Sequence, residues 1–468
     1  MRKKWMSSTL ALVLAGTTVA SMMPAVPVSA KGAEAASGTT YYVDSKKGKD
    51  SNAGTSESEA FQTLDKVNEL DLNPGDTILL KKGSVFEDQA LKFTKEDSGT
   101  AEAPVKVSTY GEGDRPQINT NGHGLWELNY GTPLDNQNHK WKGTVSSSIL
   151  IEDAEYLEIE GLELTNDRNS ATDTEKDKAY NDAYAMDRTG VAGVAKDNGT
   201  VDHIVLNDLY IHNVTGNVYN KHMTNGGIYF IVAKPTNEGE TGIARYNDIQ
   251  IRNCSLDTVN RWGIAVGYTY AHDKFQGAIL DEVAFLKYGH EHVVIRNNYV
   301  KEAGGDGITA MYALRPLVEH NMTDCVAQEI NDRIYCCPKN RAGKVAAAIW
   351  PWKCKDALFR YNEAADTRLN QDGMAYDADS GDGTTYEYNY SRQNEGGCVM
   401  FCLDEAIHNT FSHNVSYDDL GGTISPSLNP DALLSHNIFY VREGVPFVRN
   451  QMGGGNYTEE ENQIIVLK

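Results

Sequence analysis

Four aspartates lie close together near the C-terminal end of the sequence. Asp372, Asp377, Asp379 and Asp382 fall within eleven positions of the segment RLNQDGMAYDADSGDG. Carboxylates this close repel one another, and such clusters are typical of acid–base chemistry or cation binding. If residues 373–379 are extended, Asp377 and Asp379 share one face of the strand, about 6.6 Å apart along it.

That spacing is plausible for the carboxylate pair of a glycosidase, in which about 5 Å implies retention of configuration and roughly 6.5–9.5 Å implies inversion. Asp372 has the wrong parity for the same face unless Gly373 bends the chain or Asp372 still lies in the preceding turn. Glycine permits either arrangement. We therefore take Asp372, Asp377 and Asp379 as the candidate catalytic residues.

Cation binding by the same acids is the main competing interpretation. An EF-hand frame starting at Asp377 fails, because Gly381 takes its fifth position and Tyr388 its twelfth. A calcium site like that of the β-helical pectate lyases needs no such loop. A lyase would also need a basic residue over the acids, for which Arg368 and Arg392 are available. We predict no dedicated metal ligands and no cofactor, with calcium required only if the lyase interpretation holds.

Other residues are candidates for binding a sugar. Trp350 and Trp352 alternate around Pro351, so both indoles can point outward from one strand, and their faces suit the C–H surface of a pyranose ring. Asp306 lies in a glycine-rich turn, where an aspartate often only caps its own turn. Core packing is the alternative for the tryptophans. The candidate substrate-binding residues are Asp306, Trp350, Trp352, Arg261, Trp262 and Glu395.

The elements that must position these residues repeat along the chain. A strand of alternating apolar residues runs into an asparagine at Asn213, Asn253, Asn298, Asn321, Asn362, Asn389, Asn414 and Asn437. From Asn298 onward most intervals are 23 to 27 residues, with one of 41 that contains an insertion. A repeat of this length predicts an all-β solenoid, a right-handed parallel β-helix, with each asparagine in a left-handed bend and hydrogen-bonded to its neighbours.

The N-terminal part predicts an export signal and a cap. Residues 1–30 have a basic start, an apolar segment and a small-residue cleavage site, as in a signal peptide, and 31–39 form a linker. Residues 40–468 form the β-helix domain, with the cap and first coils at 40–120 and the insertion at about 327–345. Apolar residues of 60–70 fall on one helical face, which predicts a short N-terminal capping helix.

Charge and cysteine content narrow the function further. The net charge of −22, or −25 without the first 30 residues, excludes a basic nucleic-acid binder. After the signal peptide no apolar stretch is long enough to span a membrane, so we predict a secreted protein. Seven cysteines in a chain this long are best interpreted as buried thiols, with a bridge inside the insertion, at Cys336 or Cys337, as the alternative.

The sequence resembles secreted right-handed β-helix proteins that act on carbohydrates over residues 41 to about 450. The segment 368–402 is similar to the catalytic region of glycoside hydrolase family 136, the lacto-N-biosidases, which carry two aspartates seven positions apart, as Asp372 and Asp379 are. The resemblance implies that Asp372 is the general acid/base and Asp379 the nucleophile of a retaining reaction that releases a β-linked disaccharide from a glycan end. A folding partner or accessory domain is a further expectation. The alternatives are a calcium-dependent polysaccharide lyase and a non-catalytic glycan-binding adhesin.

Overall fold

Short strands recur in each coil of the chain and pair with their counterparts in the next coil. The computed structural model describes residues 38–137, 139–167, 186–330, 345–449 and 453–468. The strands of these residues are β1 (Thr40–Val43), β2 (Thr77–Lys81), β3 (Val85–Glu87), β4 (Leu91–Phe93), β5 (Val105–Tyr110), β6 (Gln117–Asn119), β7 (Leu125–Asn129), β8 (Lys142–Glu152), β9 (Leu157–Glu160), β10 (Glu163–Asn166), β11 (Asp187–Ala195), β12 (Thr200–Asn207), β13 (Tyr210–Val214), β14 (Gly226–Val232), β15 (Arg245–Arg252), β16 (Ser255–Val259), β17 (Trp262–Thr269), β18 (Glu291–Arg296), β19 (Tyr299–Ala303), β20 (Ile308–Met311), β21 (Leu317–Glu319), β22 (Met322–Asp324), β23 (Ile349–Trp352), β24 (Leu358–Arg360), β25 (Glu363–Ala365), β26 (Met374–Asp379), β27 (Thr385–Glu387), β28 (Tyr390–Arg392), β29 (Gly397–Cys402), β30 (Asn409–Ser412), β31 (Val415–Tyr417), β32 (Ile424–Ser425), β33 (Ala432–Ser435), β34 (Ile438–Arg442), β35 (Thr458–Glu460) and β36 (Gln463–Leu467).

These strands form three parallel sheets in the described residues. The first sheet has 13 strands, in the order β1-β2-β5-β9-β12-β15-β18-β21-β24-β27-β30-β33-β35. The second has 12, in the order β3-β6-β10-β13-β16-β19-β22-β25-β28-β31-β34-β36. The third has 11, in the order β4-β8-β11-β14-β17-β20-β23-β26-β29-β32, with β7 antiparallel to β8. The predicted parallel β-helix is confirmed.

The interior combines stacked apolar side chains with a ladder of buried asparagines. Each ladder asparagine lies between a strand of the first sheet and a strand of the second, and its amide donates to the side-chain oxygen of the next at 2.9–3.2 Å. The members are Asn298, Asn321, Asn362, Asn389, Asn414, Asn437 and Asn462. Repeating this residue in successive coils therefore satisfies a line of buried polar groups.

The left-handed bend lies one residue earlier than predicted at the ladder positions. His320, Tyr361 and Tyr388, for example, have φ angles of 56°, 54° and 56°, and each directly precedes a ladder asparagine. The shift has a simple cause, because the amide must point inward to reach the next coil while the bend turns the preceding side chain outward. Asn213 and Asn253 are themselves left-handed, at 51° and 57°.

The described helices are few and short. They are α1 (Leu64–Asn68), α2 (Glu238–Thr241) and α3 (Glu282–Tyr288), with 3-10 turns at Glu57–Glu59, Lys95–Asp97 and His272–Lys274. Of the amphipathic segment predicted as a cap, only α1 is helical, and its capping role stays a prediction. Among the described residues no helix is long and apolar enough to cross a membrane.

Several expectations concern residues outside the described ranges. The predicted signal peptide, nearly all of the linker, most of the insertion, and Cys336 and Cys337 lie there. The five described cysteines, Cys254, Cys325, Cys354, Cys398 and Cys402, are free thiols, and all but Cys325 are buried.

Candidate active site

The candidate site lies on the outer face of the third sheet, where β26 carries two of the predicted acids. Ala375, Tyr376 and Ala378 point into the core, whereas Asp377 and Asp379 line an external cavity. The two aspartates thus share a face, as expected from strand geometry. Met374 packs in a small separate cluster with Met400 and Cys402.

Asp372 reaches the same cavity from the turn before β26. Its backbone N–H donates to the side-chain oxygen of Asn370 at 2.8 Å, which holds the turn. Gly373 then takes a left-handed φ of 84°, and a Cβ there would lie 2.8 Å from the carbonyl oxygen of Arg368. Only glycine fits this position without strain. The bend removes the parity problem, and the structure brings Asp372, Asp377 and Asp379 together.

The cavity encloses about 290 Å³ and combines acids with aromatic rings. Its aromatic and imidazole side chains are Trp262, Tyr268, Trp350, Trp352, His139 and His222. Asp135, Asn136 and Lys221 add polar and charged groups to the lining. This mixture of flat apolar surfaces and a few polar groups is typical of a site that binds a small polar ligand such as a sugar.

Asp377 is the most isolated of the three acids. Its side chain is only 4% exposed, and its Oδ1 has no hydrogen-bond partner among the described residues. Burial first, and then the charges of Asp379 and Asp372, raise the pKa of Asp377 well above its usual range. Burial and the neighbouring carboxylates therefore favour the protonated form of Asp377.

The pKa of Asp379 is also raised, but a hydrogen bond and two lysines act against the rise. Burial raises the pKa of Asp379 to about 7, and Asp372 raises it too. The Ser380 hydroxyl, which donates to Asp379 at 2.9 Å, acts in the opposite direction, as do Lys221 and Lys353. Both carboxyl groups thus have raised pKa values, and perturbed acids of this kind are typical of acid–base sites.

The three candidate tryptophans all line the cavity. Trp262 and Trp350 stack with ring centroids 6.1 Å apart, and Trp350 meets Trp352 edge to face at 6.4 Å. Each indole N–H has an acceptor: the Lys221 carbonyl for Trp262, Asp306 for Trp350 and the Tyr312 hydroxyl for Trp352. The rings are therefore held in fixed orientations around the cavity.

Arg261 and Asp306 do not line the cavity. Both side chains are fully buried and form an ion pair of 3.2 Å. Asp306 also accepts the indole N–H of Trp350 at 3.1 Å, so the pair supports the tryptophan from behind. This placement favours a supporting role for Arg261 and Asp306 over the predicted contact with a sugar.

Glu395 and Asp382 also lie outside the cavity-lining set. Glu395 accepts from Arg368 at 3.1 Å and from the Leu369 N–H at 2.7 Å. Asp382, the fourth acid of the sequence cluster, pairs with Lys355 at 2.8 Å and His408 at 2.9 Å. Against burial, which raises it, these partners hold the pKa of Asp382 below its usual value. The sequence cluster thus separates into three cavity acids and one paired acid.

The cavity acids are a poor donor set for calcium. One atom each of Asp377, Asp379 and Cys402 lie within 4.8 Å of one another. Calcium takes six to eight oxygen ligands, whereas this group offers two carboxyl groups and a thiol, and burial raises the pKa of all three. The basic residues expected of a lyase, Arg368 and Arg392, are paired with Glu395 and with Glu363 and Asp366.

Sequence reasoning missed Lys221, His139, His222 and Tyr268. The repeat in the sequence does contain a signal that could have located Lys221. Turns that precede strands of the third sheet in successive coils open at the same edge, so the residues before β14 and β23 approach those before β26. Aligning the coils by their third-sheet strands would have drawn attention to Lys221.

Comparison with known proteins gives two informative relatives, although no family model matches the sequence. A curated lacto-N-biosidase of Bifidobacterium longum subsp. longum is 42% identical over 467 residues, which cover 92% of this chain and 29% of that protein. The crystal structures of a GH136 lacto-N-biosidase from Eubacterium ramulus, native and selenomethionine forms, superpose with a TM-score of 0.88 at 55% identity. The match covers 92% of this chain and 68% of the Eubacterium ramulus chain. With this identity over most of a solved relative, the chain belongs to glycoside hydrolase family 136.

Proposed function

We propose that this chain is the catalytic β-helix of a retaining glycoside hydrolase that releases a β-linked disaccharide from the end of a glycan. The observation that carries the proposal is the convergence of Asp372, Asp377 and Asp379 with three tryptophans in one cavity. The name lacto-N-biosidase, borne by both relatives, supports the substrate class.

Asp379 and Asp372 take the two roles that a retaining reaction needs. The Asp379 carboxylate attacks the anomeric carbon and forms an ester bond as the glycosidic C–O bond breaks. Asp372 gives its proton to the departing oxygen. Water, deprotonated by Asp372, then cleaves the ester and restores Asp379, so the net change is hydrolysis with retention of configuration.

Asp377 supports the same reaction as a neutral acid. Its raised pKa favours the protonated form, which adds no negative charge beside Asp379 and offers a hydrogen bond to a bound sugar. Its unpartnered Oδ1 is available as an acceptor for a sugar hydroxyl. The indoles of Trp262, Trp350 and Trp352 would pack against the C–H faces of the sugar rings.

The setting of the enzyme is also a proposal. Residues 1–30 have the pattern of a signal peptide, so we propose that the protein is exported and meets its glycans outside the cell. The chain spans 29% of the length of the curated relative, and an accessory domain or folding partner remains a prediction.

Two substitutions test the roles directly. Asp379→Asn and Asp372→Asn should each lower kcat on milk-type oligosaccharides by about 10³-fold or more, since general acid catalysis and the nucleophile each contribute on that scale. Asp382→Asn is the matched control from the same sequence cluster, and its activity should stay within about threefold of wild type. The assay follows disaccharide release and the anomeric form of the first product. Full activity in either cavity variant, or initial product of inverted configuration, would refute the proposed mechanism.

A further inference from the structure

Lys221 lies in the cavity in an unusual environment for a lysine. Lys221 is only 7% exposed, and its backbone carbonyl accepts a hydrogen bond from the indole N–H of Trp262 at 2.5 Å. The ammonium lies 5.2 Å from the ring centroid of Trp262 and 5.3 Å from that of Trp350. Cation–π contacts therefore hold the charge over the stacked indoles, at the cavity that contains the acids.

No hydrogen bond or ion pair of this ammonium occurs in the described part of the chain. Two other lysines near the cavity differ, because Lys353 pairs with Glu405 and Lys140 pairs with Asp187 at 2.8 Å. Burying an unpaired ammonium is costly, so a compensating charge must lie nearby. Burial lowers the pKa of Lys221, whereas Asp306, Asp379 and Asp372 act to raise it.

The groups that act on Asp379 come from several elements. Asp372, from the preceding turn, opposes its ionisation, and Lys353 favours it. One atom each of Asp377 and Cys402 lies within 4.8 Å of Asp379, and burial raises the pKa of both groups, which favours their neutral forms. Among the described groups, Lys221 is thus the cation that shares the cavity with Asp379 and has no carboxylate of its own.

We propose that Lys221 is a positioning residue whose ammonium, held over Trp262 and Trp350, keeps Asp379 in the ionised form required for attack. The proposal rests on the nucleophilic role of Asp379 proposed above. A protonated Asp379 has no free electron pair of sufficient basicity to form the ester bond. Removal of the nearby positive charge therefore favours the inactive, protonated form at higher pH.

The first test is the pH dependence of kcat/KM between pH 4 and 9. In Lys221→Met the acidic limb should move up by about one pH unit or more, so that activity at pH 6 falls about tenfold further than activity at pH 9. Lys221→Arg should restore most of the limb position, because it keeps the charge. Lys355→Met, which removes a lysine outside the cavity, should leave the limb unmoved. An equal loss at every pH in Lys221→Met would assign Lys221 a merely structural role and overturn the proposal.

A second measurement separates this proposal from the proposed function. Infrared spectra of protein labelled with ¹³C at the aspartate carboxyls, compared with the same protein carrying Asp379→Asn, report the pH at which the Asp379 carboxylate band disappears. That pH should be higher in Lys221→Met than in wild type, and equal values would overturn the proposal. If the wild-type protein released no sugar from any glycan, the proposed function would fail while the titration still decided the role of Lys221.

Discussion

The asparagine ladder inside the coils and the cavity on the outer face of the third sheet both bury polar side chains, but the two regions differ in whether those side chains have hydrogen-bond partners. In the ladder, each amide from Asn298 to Asn437 donates to the next asparagine and to a backbone carbonyl of the preceding coil. In the cavity, Asp377 has an oxygen without a partner, and the Lys221 ammonium lies over two indole rings with no hydrogen bond or ion pair among the described residues.

The difference distinguishes groups that stabilise the fold from groups that wait for a ligand. A buried polar group with all its partners contributes favourably to the free energy of folding, whereas an unpartnered one destabilises the fold. The cavity therefore lowers the stability of the protein, and a bound sugar would supply the missing partners. Three predictions, each with a comparison variant, test this distinction.

The largest effect is expected at the centre of the ladder. Asn389→Ala removes the partner of the Phe359 carbonyl, bonded at 3.0 Å, and the partner of both the backbone N–H and the side-chain amide of Asn362, bonded at 2.9 Å and 3.1 Å. Three buried groups that lose a hydrogen bond should lower the free energy of unfolding by about 3 kcal/mol or more. Urea unfolding followed by circular dichroism measures the change.

Asn207→Ala is the control, because the hydrogen bonds of Asn207 to Glu160 and from Asn253 are exposed. Its free energy of unfolding should change by less than about 0.5 kcal/mol. Equal destabilisation by both substitutions would show that the buried ladder has no special role in stability.

The fold could be predicted from the sequence because its cause repeats. Alternating apolar residues that end in an asparagine recur in coil after coil, so the pattern indicates both the strands and the stacking direction. The finer error, placing the left-handed bend at the asparagine instead of at the residue before it, arose because the sequence does not show which neighbour must point inward. His320 and Tyr361 take the bend for that reason.

The site could be predicted only where it lies in one segment. Asp372, Asp377 and Asp379 are neighbours in sequence, and strand parity together with Gly373 was sufficient to group them. Lys221 lies about 150 residues earlier, and its approach to Asp379 depends on how the coils stack. Asp382 shows the converse, since proximity in sequence did not place it in the cavity.

The second prediction concerns the stability contribution of Asp377. Because its folded pKa is raised above the unfolded value near 4, the folded state keeps a proton that the unfolded state loses as pH rises. Asp377→Asn removes this penalty, so the variant should match wild type at pH 4 and be more stable at pH 8. The gain is about 1.4 kcal/mol for each unit of pKa difference. Thermal melts across this pH range measure it.

Asp382→Asn should change the free energy of unfolding in the opposite direction. The folded pKa of Asp382 is lowered, so its contribution to stability is present above the unfolded value and is lost as pH falls. The variant should be less stable than wild type at pH 8, and the difference should shrink at pH 3. A gain for both variants at pH 8 would contradict the distinction between paired and unpaired acids.

The smallest effect is expected for Glu395, which the sequence indicated as a sugar-binding residue and which the structure places outside the cavity-lining set. Its ion pair with Arg368 is more than one-third exposed on both sides, so Glu395→Gln should change stability by less than about 1 kcal/mol. Glutamine keeps an oxygen that can accept a hydrogen bond from the Leu369 N–H.

The KM and kcat of Glu395→Gln should therefore stay within about twofold of wild type. Trp352→Ala, which removes an indole that lines the cavity, should raise KM about tenfold. A tenfold rise in KM for Glu395→Gln would mean that a partnered, half-exposed acid also binds sugar, and the distinction between satisfied and unsatisfied groups would fail as a guide to the site.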